Sequence, residues 1–470
     1  MWNYLLVALL PLVGLYFTVR LRGVQVRRFP QMLRVLVRGG NTDPSGISPL
    51  QALCTSLASR IGTGNLVGVA IALGAGGAGA IFWMWMVAAV GMATAYAESS
   101  LAQLYKIRDR EGQYRGGPAL YMARGLRAPW LGVLFSVLLV VAFGLVFSAV
   151  QANSISGAMA TAFAIDPRVS AVGLMLLSGA IIFGGLRSVA RVAVNVIPLM
   201  AGAYLLVALA VIAMNLDLVL PTLALIVRSA FGLEQAAGGV LGGLAAALLN
   251  GVKRGLFSNE AGMGSAPNIA AAATPVPHHP ASQGLVQAFG VFVDTLVVCT
   301  ATALMILLSG VPVGGAIDGI ALTQAAMATH LGAAGPVFIA VALFFFALTS
   351  ILGNYAYAES SVAFLRGGRT GMWLLRAGCV AMVGWGAVAQ VALVWDVADA
   401  AMGLMALTNL VAVMLLSSVV AKLTRDYDRQ LHAGIAPWLD AADYPELAGA
   451  IDAGIWTPAA VSPRPEVTRG

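Results

Sequence analysis

GVKRGLFSNEAGMGSAP, residues 251–267, puts Lys253, Arg254, Asn259 and Glu260 inside an apolar segment long enough to cross a bilayer, from about residue 238 to 273. Each charge at that depth costs roughly 2.5–3.5 kcal/mol unless it is paired or wetted, so such a set points to function. Gly251, Gly255, Gly262 and Gly264 lie in the same stretch; each weakens helix by about 1 kcal/mol relative to Ala and lets the backbone unwind. The stretch reads as a broken helix lining a polar cavity, because bare backbone at membrane depth persists only beside protein or water.

Composition sets the class. Of 470 residues, 59% are hydrophobic and 10% charged, and the mean hydropathy is +0.87. These values exclude an ordinary soluble domain and predict an all-α polytopic membrane protein. The net charge of +7 gathers in short loops, not in a stripe interleaved with aromatics. The lipid bilayer is therefore an expected partner and nucleic acid is not. Cys54, Cys299 and Cys379 lie in apolar segments without metal-ligand spacing and read as buried thiols.

Runs near 20 apolar residues predict eleven spans, at about 2–21, 46–74, 79–106, 130–163, 170–186, 189–214, 237–273, 285–309, 336–365, 372–391 and 396–422. The first has basic residues after it and none before it, and lacks a small-residue cleavage site. It reads as a retained span with its N-terminus outside. Counting on, the basic residues of 106–127, 187–191, 366–376 and 422–429 fall in inside loops, and the outside loops hold only Arg168 and Arg228. The C-terminus is then inside; in a bacterium the membrane is the cytoplasmic (inner) one.

The second span is interrupted as well, at SRIGTGN, residues 59–65, with Arg60 at mid-membrane. One broken helix starts inside and the other outside, five spans later. Such a pair predicts an inverted-repeat transporter with its site at the midplane. Residues 1–45 are then a peripheral first helix and basic inner loop, 46–214 the first five-helix repeat, 215–236 an outer connecting segment, 237–422 the second repeat and 423–470 a cytoplasmic tail. Pro221 and Arg228 make the connecting segment an outer surface helix. Prolines 437, 445, 458, 463 and 465 mark a short polar tail with no second domain, and Trp438 and Trp456 suit the membrane surface.

AYAESS occurs twice, at 95–100 and 356–361, near the inner ends of spans three and nine. Glu98 and Glu359 are expected to pair with inside-loop arginines; lining an inner vestibule is the alternative. Asp294, in VFVDT, is deeper: it lies on a cation route or partners a mid-membrane Arg or Lys. Lys253, Arg254 and Glu260 are assigned to gating ion pairs on the inner half, and Arg60 is a further ion-pair residue.

Residues 76–91, GGAGAIFWMWMVAAVG, resemble the signature of the sodium:alanine/glycine symporter family of bacteria and archaea. VKRGLFSNEAGMGSAP resembles that family's second hallmark, GTGN at 62–65 its first broken helix, and GGPALYM at 116–122 its inner loop; the similarity runs from about residue 48 to 416. The resemblance implies a leucine-transporter type fold with a 5+5 inverted repeat of eleven spans. It also implies sodium-driven uptake of a small neutral amino acid such as alanine or glycine, with Na+ as coupling ion and no cofactor. Asn354 stands where many members carry a tryptophan that helps close the pocket. A smaller polar residue there enlarges the pocket and brings glutamine or serine into reach.

A zwitterionic amino acid needs its carboxylate met by free N–H groups where a broken helix resumes, and Gly62, Thr63, Gly64 and Asn65 supply such an end. Its ammonium needs oxygens, for which Ser258, Asn259 and the carbonyls near Phe257 are the candidates. Gln151 and Asn153 are polar in an otherwise apolar span and resemble the family's substrate-facing position; an interhelical hydrogen bond is the plain alternative for both. Sodium calls for oxygen ligands. By analogy with the fold's cation site, these are the carbonyls of Ala58 and Ile61 and the hydroxyls of Thr349 and Ser350.

Three rivals stand beside this reading. A proton-coupled transporter would use Asp294, Glu260 or Glu98. An intramembrane enzyme lacks support: there is no GxSxG or HExxH motif, and His278, His279, His330 and His432 all fall outside mid-span. An amino-acid sensor would bind without transport. The sequence carries no sign of oligomeric state.

Overall fold

The computed structural model describes residues 5–38, 40, 43–232, 240–314 and 319–457. The start of the first predicted span and prolines 458, 463 and 465 lie outside them. In chain order the helices are α1 (Val7–Arg20), α2 (Phe29–Arg38), α3 (Pro49–Arg60), α4 (Gly64–Gly76) and α5 (Gly79–Leu104). A hairpin of β1 (Ile107–Arg108) antiparallel to β2 (Tyr114–Arg115) follows. Then come α6 (Pro129–Phe163), α7 (Pro167–Ile182), α8 (Ser188–Met214), α9 (Leu216–Ala230), α10 (Val240–Asn259), α11 (Pro267–Ala272) and α12 (Pro280–Leu308). The chain closes with α13 (Gly319–Leu331), α14 (Ala334–Phe364), α15 (Gly368–Val388), α16 (Leu393–Leu415) and α17 (Ser417–His432).

Among the described residues seven helices, α5, α6, α8, α12, α14, α15 and α16, are long and apolar enough to cross a membrane, and α3 with α4 forms a pair bent by 51°. α1 and α7 are apolar but shorter. α10 and α11 flank the unwound residues 260–266. The last predicted span is corrected at its end. Helix stops at Leu415, Leu416 leaves helical geometry (φ −92°, ψ 11°), and α17 is a separate helix with a charged face.

α5 is the central post, packed against α1, α10, α11 and α12. Small residues allow the approach: a Cβ on Gly251 of α10 would meet the Ala80 carbonyl at 2.4 Å. α3 starts at a reciprocal cap in which Ser48 Oγ accepts from Gln51 N (3.1 Å) and Gln51 Oε1 accepts from Ser48 N (2.9 Å). Just before it, Ile47 donates to the Ala272 carbonyl (3.1 Å) and accepts from Thr274 N (2.9 Å), so the start of one broken helix is tied to the end of the other.

The tail also departs from expectation. Trp438 and Trp456 do not rest on a membrane surface; both are buried, against His278 at ring distances of 4.5 and 5.0 Å. Leu439 N donates to the His278 carbonyl (3.0 Å), His278 Nε2 lies 3.0 Å from the Ile455 carbonyl, and Trp456 Nε1 donates to the Leu104 carbonyl (3.0 Å). The segment is a strap across the α11–α12 connection at the hairpin end of the bundle. Tryptophan suits this use because it buries a large ring and still finds an acceptor for its N–H.

Candidate functional site

The two breaks meet in the middle of the bundle. α3 ends where Ile61 turns extended (φ −74°, ψ 93°), and the next two N–H groups leave the helix. Gly62 N donates to Asn65 Oδ1 and Thr63 N to Gln151 Oε1, each at 3.0 Å, and Thr63 Oγ1 donates to the same Gln151 oxygen at 2.5 Å. The carbonyls of Ala58 and Ser59, which a continuing helix would pair with those N–H groups, are thereby released. A Cβ at Gly62 would lie 2.3 Å from Ser350 Oγ and 2.8 Å from Gln151 Oε1, so no larger residue fits.

The second break is held from neighbouring helices. Glu260 (φ 57°), Gly262 (φ 84°) and Gly264 (φ 79°) take left-handed backbone, which glycine adopts freely and Glu does not. Glu98 of α5 accepts from Gly262 N (3.2 Å), Gly264 N (3.1 Å) and Asn409 Nδ2 (2.7 Å). Asn409 Nδ2 also reaches the Gly262 carbonyl (2.9 Å), and Tyr121 donates to its Oδ1. The expected pairing of Glu98 with an arginine is therefore corrected: its carboxylate sits in a nest of backbone N–H groups and fixes the unwound loop. Its twin Glu359 does pair with an arginine of the expected loop, Arg115, at 3.5 Å, and Arg115 also holds Asp109 at 3.0 Å. The repeated hexapeptide signals Glu98, but no sequence pattern marks Asn409.

Between the breaks lies a cluster of polar side chains. Asp294 accepts from Asn65 Nδ2 (2.8 Å), Ser258 Oγ (2.7 Å) and Thr295 Oγ1 (2.7 Å). Among the described residues no Lys or Arg lies within ion-pair distance of it, so its expected ion pair is absent. Arg60, buried, donates from Nη1 to the Gln287 carbonyl (3.3 Å); it too has no carboxylate within 4.0 Å, so its expected ion pair is absent. Glu260 meets hydroxyls instead of a cation, Ser59 Oγ at 3.0 Å and Ser265 Oγ at 2.6 Å. Ser59 Oγ also lies 2.6 Å from Asn354 Oδ1. Asn259 Oδ1 accepts from Ala261 N (3.0 Å). The buried Nδ2 groups of Asn259 and Asn354 find no acceptor among the described residues.

Ser350 Oγ lies 3.4 Å from the Ile61 carbonyl and 3.0 Å from that of Phe346; Thr349 Oγ1 donates back to Phe345 and Phe346 carbonyls at 3.0 and 2.9 Å. A hydroxyl whose proton is used behind it keeps its lone pairs for a cation in front. Asn153, in contrast, donates to the Gly386 (2.8 Å) and Ala389 (2.9 Å) carbonyls and is an interhelical tie.

Lys253 pairs with Asp399, and Arg254 lies 3.9 Å from the same carboxylate and 4.6 Å over the Trp395 ring. Trp395 stacks on Phe257 (4.6 Å), which meets Phe147 (4.5 Å). This layer is beside the start of α5, at the opposite end from the β-hairpin and Arg115. The expected inner-half gating pairs of Lys253, Arg254 and Glu260 are thus corrected: in the predicted topology Lys253 and Arg254 lie in the outer half, with Asp399 as partner. Phe147, Trp395 and Asp399 were missed because aromatic residues and acidic residues near a span end carry no distinctive spacing.

The model of the sodium:alanine symporter family matches residues 1–441. The chain belongs to that family. It is 48% identical to the amino-acid carrier protein AlsT of Bacillus subtilis over 96% of this chain and 94% of that one. It is also 48% identical to the probable sodium/glutamine symporter GlnT of the same organism, over 93% of this chain and 90% of that one. The sodium/alanine symporter AgcS of Methanococcus maripaludis is 39% identical, with 91% and 95% covered. As a sodium:alanine symporter family member, the chain is a transmembrane protein whose relatives are named amino-acid carriers and sodium symporters.

Proposed function

We propose that this chain couples sodium entry to uptake of a small neutral amino acid, alanine or glycine, by alternating access in the cytoplasmic membrane. The N-terminus is outside, the C-terminus inside, and the two five-helix repeats of residues 46–214 and 237–422 rock about the breaks. The observation that carries the reading is the pair of facing helix breaks, with released carbonyls at Ala58 and Ser59 and orphan amide donors at Asn259 and Asn354, enclosed between two ion-pair layers.

Ala58 and Ile61 carbonyls with Thr349 and Ser350 hydroxyls hold sodium. Gly62, Thr63, Gly64 and Asn65 receive the substrate carboxylate, which takes over the N–H groups that Asn65 and Gln151 otherwise satisfy. Gln151 is the internal stand-in for that carboxylate: its oxygen keeps Thr63 from becoming an unpaired buried donor, worth roughly 1–3 kcal/mol. Phe257, Ser258, Asn259 and Asn354 line the rest of the pocket. Lys253, Arg254 and Asp399 gate one end, and Arg115 with Glu359 the other.

A second reading keeps the mechanism and changes the substrate to glutamine. Asn354 in place of a bulky ring and the 48% identity to a probable sodium/glutamine symporter favour it. Equilibrium binding of labelled alanine to the purified chain, in sodium against choline at fixed pH, tests the proposal. Affinity that rises with sodium and is abolished in the Gly62→Ala variant is expected; sodium-independent binding, or displacement by glutamine alone, overturns coupling or substrate respectively.

A further inference from the structure

Six arginines converge on one concavity that the transport cycle does not use. Arg20, Arg22, Arg27 and Arg28 follow α1, and Arg425 and Arg429 come from α17, some 400 residues away; together they line a cavity of about 660 Å³. Asp428 also lines the cavity, and its carboxylate is shared by Arg27 and Arg28 at 2.7 Å each. Arg429 is occupied by Asp426 at 2.6 Å. Arg20, Arg22 and Arg425 have no carboxylate within ion-pair distance among the described residues. Charge spread over loops satisfies the positive-inside rule without any such concavity; here both ends of the chain fold to build one.

A second cavity, of about 520 Å³, shares Arg20 with the first. It is apolar, runs along Leu12, Leu15, Tyr16 and Val19 of α1, and ends at Arg20, which lines both. Leu12, Leu15 and Val19 are exposed side chains of this groove. Tyr16 marks the boundary between the two: its ring lies 5.6 Å from the Arg20 guanidinium and its hydroxyl 3.0 Å from Ser417 Oγ at the start of α17. An apolar trough that opens into an arginine cluster matches one ligand chemistry, an acyl chain joined to an anionic phosphodiester. Guanidinium suits the latter because its planar fork binds phosphate oxygens in pairs and is weakly hydrated.

We propose that the groove of α1 and the arginine cluster between α1 and α17 form a binding site for an anionic glycerophospholipid of the surrounding bilayer. Its acyl chain lies on Leu12, Leu15 and Val19, and its phosphate is held by Arg20, Arg22 and Arg425. Basic pockets between membrane helices bind anionic head groups by the same physics. The lipid bridges the first helix to the segment that leads into the C-terminal strap.

The test is thermal unfolding of the purified full chain in a non-ionic detergent, with phosphatidylglycerol, phosphatidylcholine or inorganic phosphate added. Phosphatidylglycerol is expected to raise the wild-type midpoint by roughly 2–4 °C, as a ligand selective for the folded state does. The shift disappears in R22Q/R425Q, whose two exposed side chains leave no carboxylate stranded when removed. It persists in R366Q/R369Q, which loses equal charge from the α14–α15 connection and the first turn of α15. An equal shift in R22Q/R425Q, or one as large with phosphatidylcholine, overturns the proposal. A full shift with inorganic phosphate alone overturns the lipid assignment, since the trough would then contribute nothing.

Discussion

Glu98 shows how much a single side chain decides. Its carboxylate receives two backbone N–H groups and the Asn409 amide, so it adds an outside brace to the few hydrogen bonds the unwound loop makes for itself, such as Met263 N to the Glu260 carbonyl (3.1 Å). Hydrogen bonds to a charged acceptor contribute roughly 1.5–3 kcal/mol each. Glu98→Gln is nearly isosteric but turns an NH2 group toward those donors. The variant is expected to unfold several degrees lower and to transport at least about tenfold more slowly; an unchanged midpoint in a thermal scan would show that the loop is fixed by packing alone. At this scale the sequence was only partly legible. Costly residue types at membrane depth marked Asn65, Glu260 and Asp294 as important, because the price of burial is a property of the residue. Their partners were not legible: Asn409 is 311 residues from Glu98, and no local spacing connects them.

Among elements, the breaks were readable and the braces around them were not. Glycines in an apolar run announce where α3 and α10 stop, since both facts are local. That α10 is tied to α16 by Lys253 and Asp399, and at the Lys253 end of the bundle, follows only from how the helices pack. Lys253→Gln and Asp399→Asn should each slow transport more than they weaken substrate binding, while the double variant recovers part of the loss through a coupling of roughly 0.5–3 kcal/mol. Strictly additive losses in a double-mutant cycle would deny the gate. The strap of residues 437–456 makes a separate prediction. Burial pushes the His278 imidazole down to about 4 from an ordinary 6.5, with the nearby Lys106 charge adding to it. Between those pH values only a released His278 binds a proton, so docking is strongest above about pH 6.5 and weakens as the pH falls toward 4. Burial also lowers His279, with the same sign. Protection of the segment against hydrogen exchange, taken relative to the intrinsic rate at each pH, should fall on acidification; protection that is flat with pH would contradict the assignment.

For the whole molecule, hydropathy and loop charge were enough for the class, because the bilayer imposes length and composition on every span. The seven long apolar helices and the bent pair agree with that class. The folded strap was illegible because its tryptophans and prolines read equally as a loose tail. On the proposed function, the facing breaks bind sodium and a neutral amino acid together and release both on the other side. Uptake of labelled alanine into proteoliposomes under an inward sodium gradient, against an equal potassium gradient at the same pH and competed by glycine and glutamine, measures it most directly. Concentrative uptake with sodium only, blocked by glycine, is expected. Uptake that persists with potassium, or that never exceeds equilibration with sodium, would contradict it.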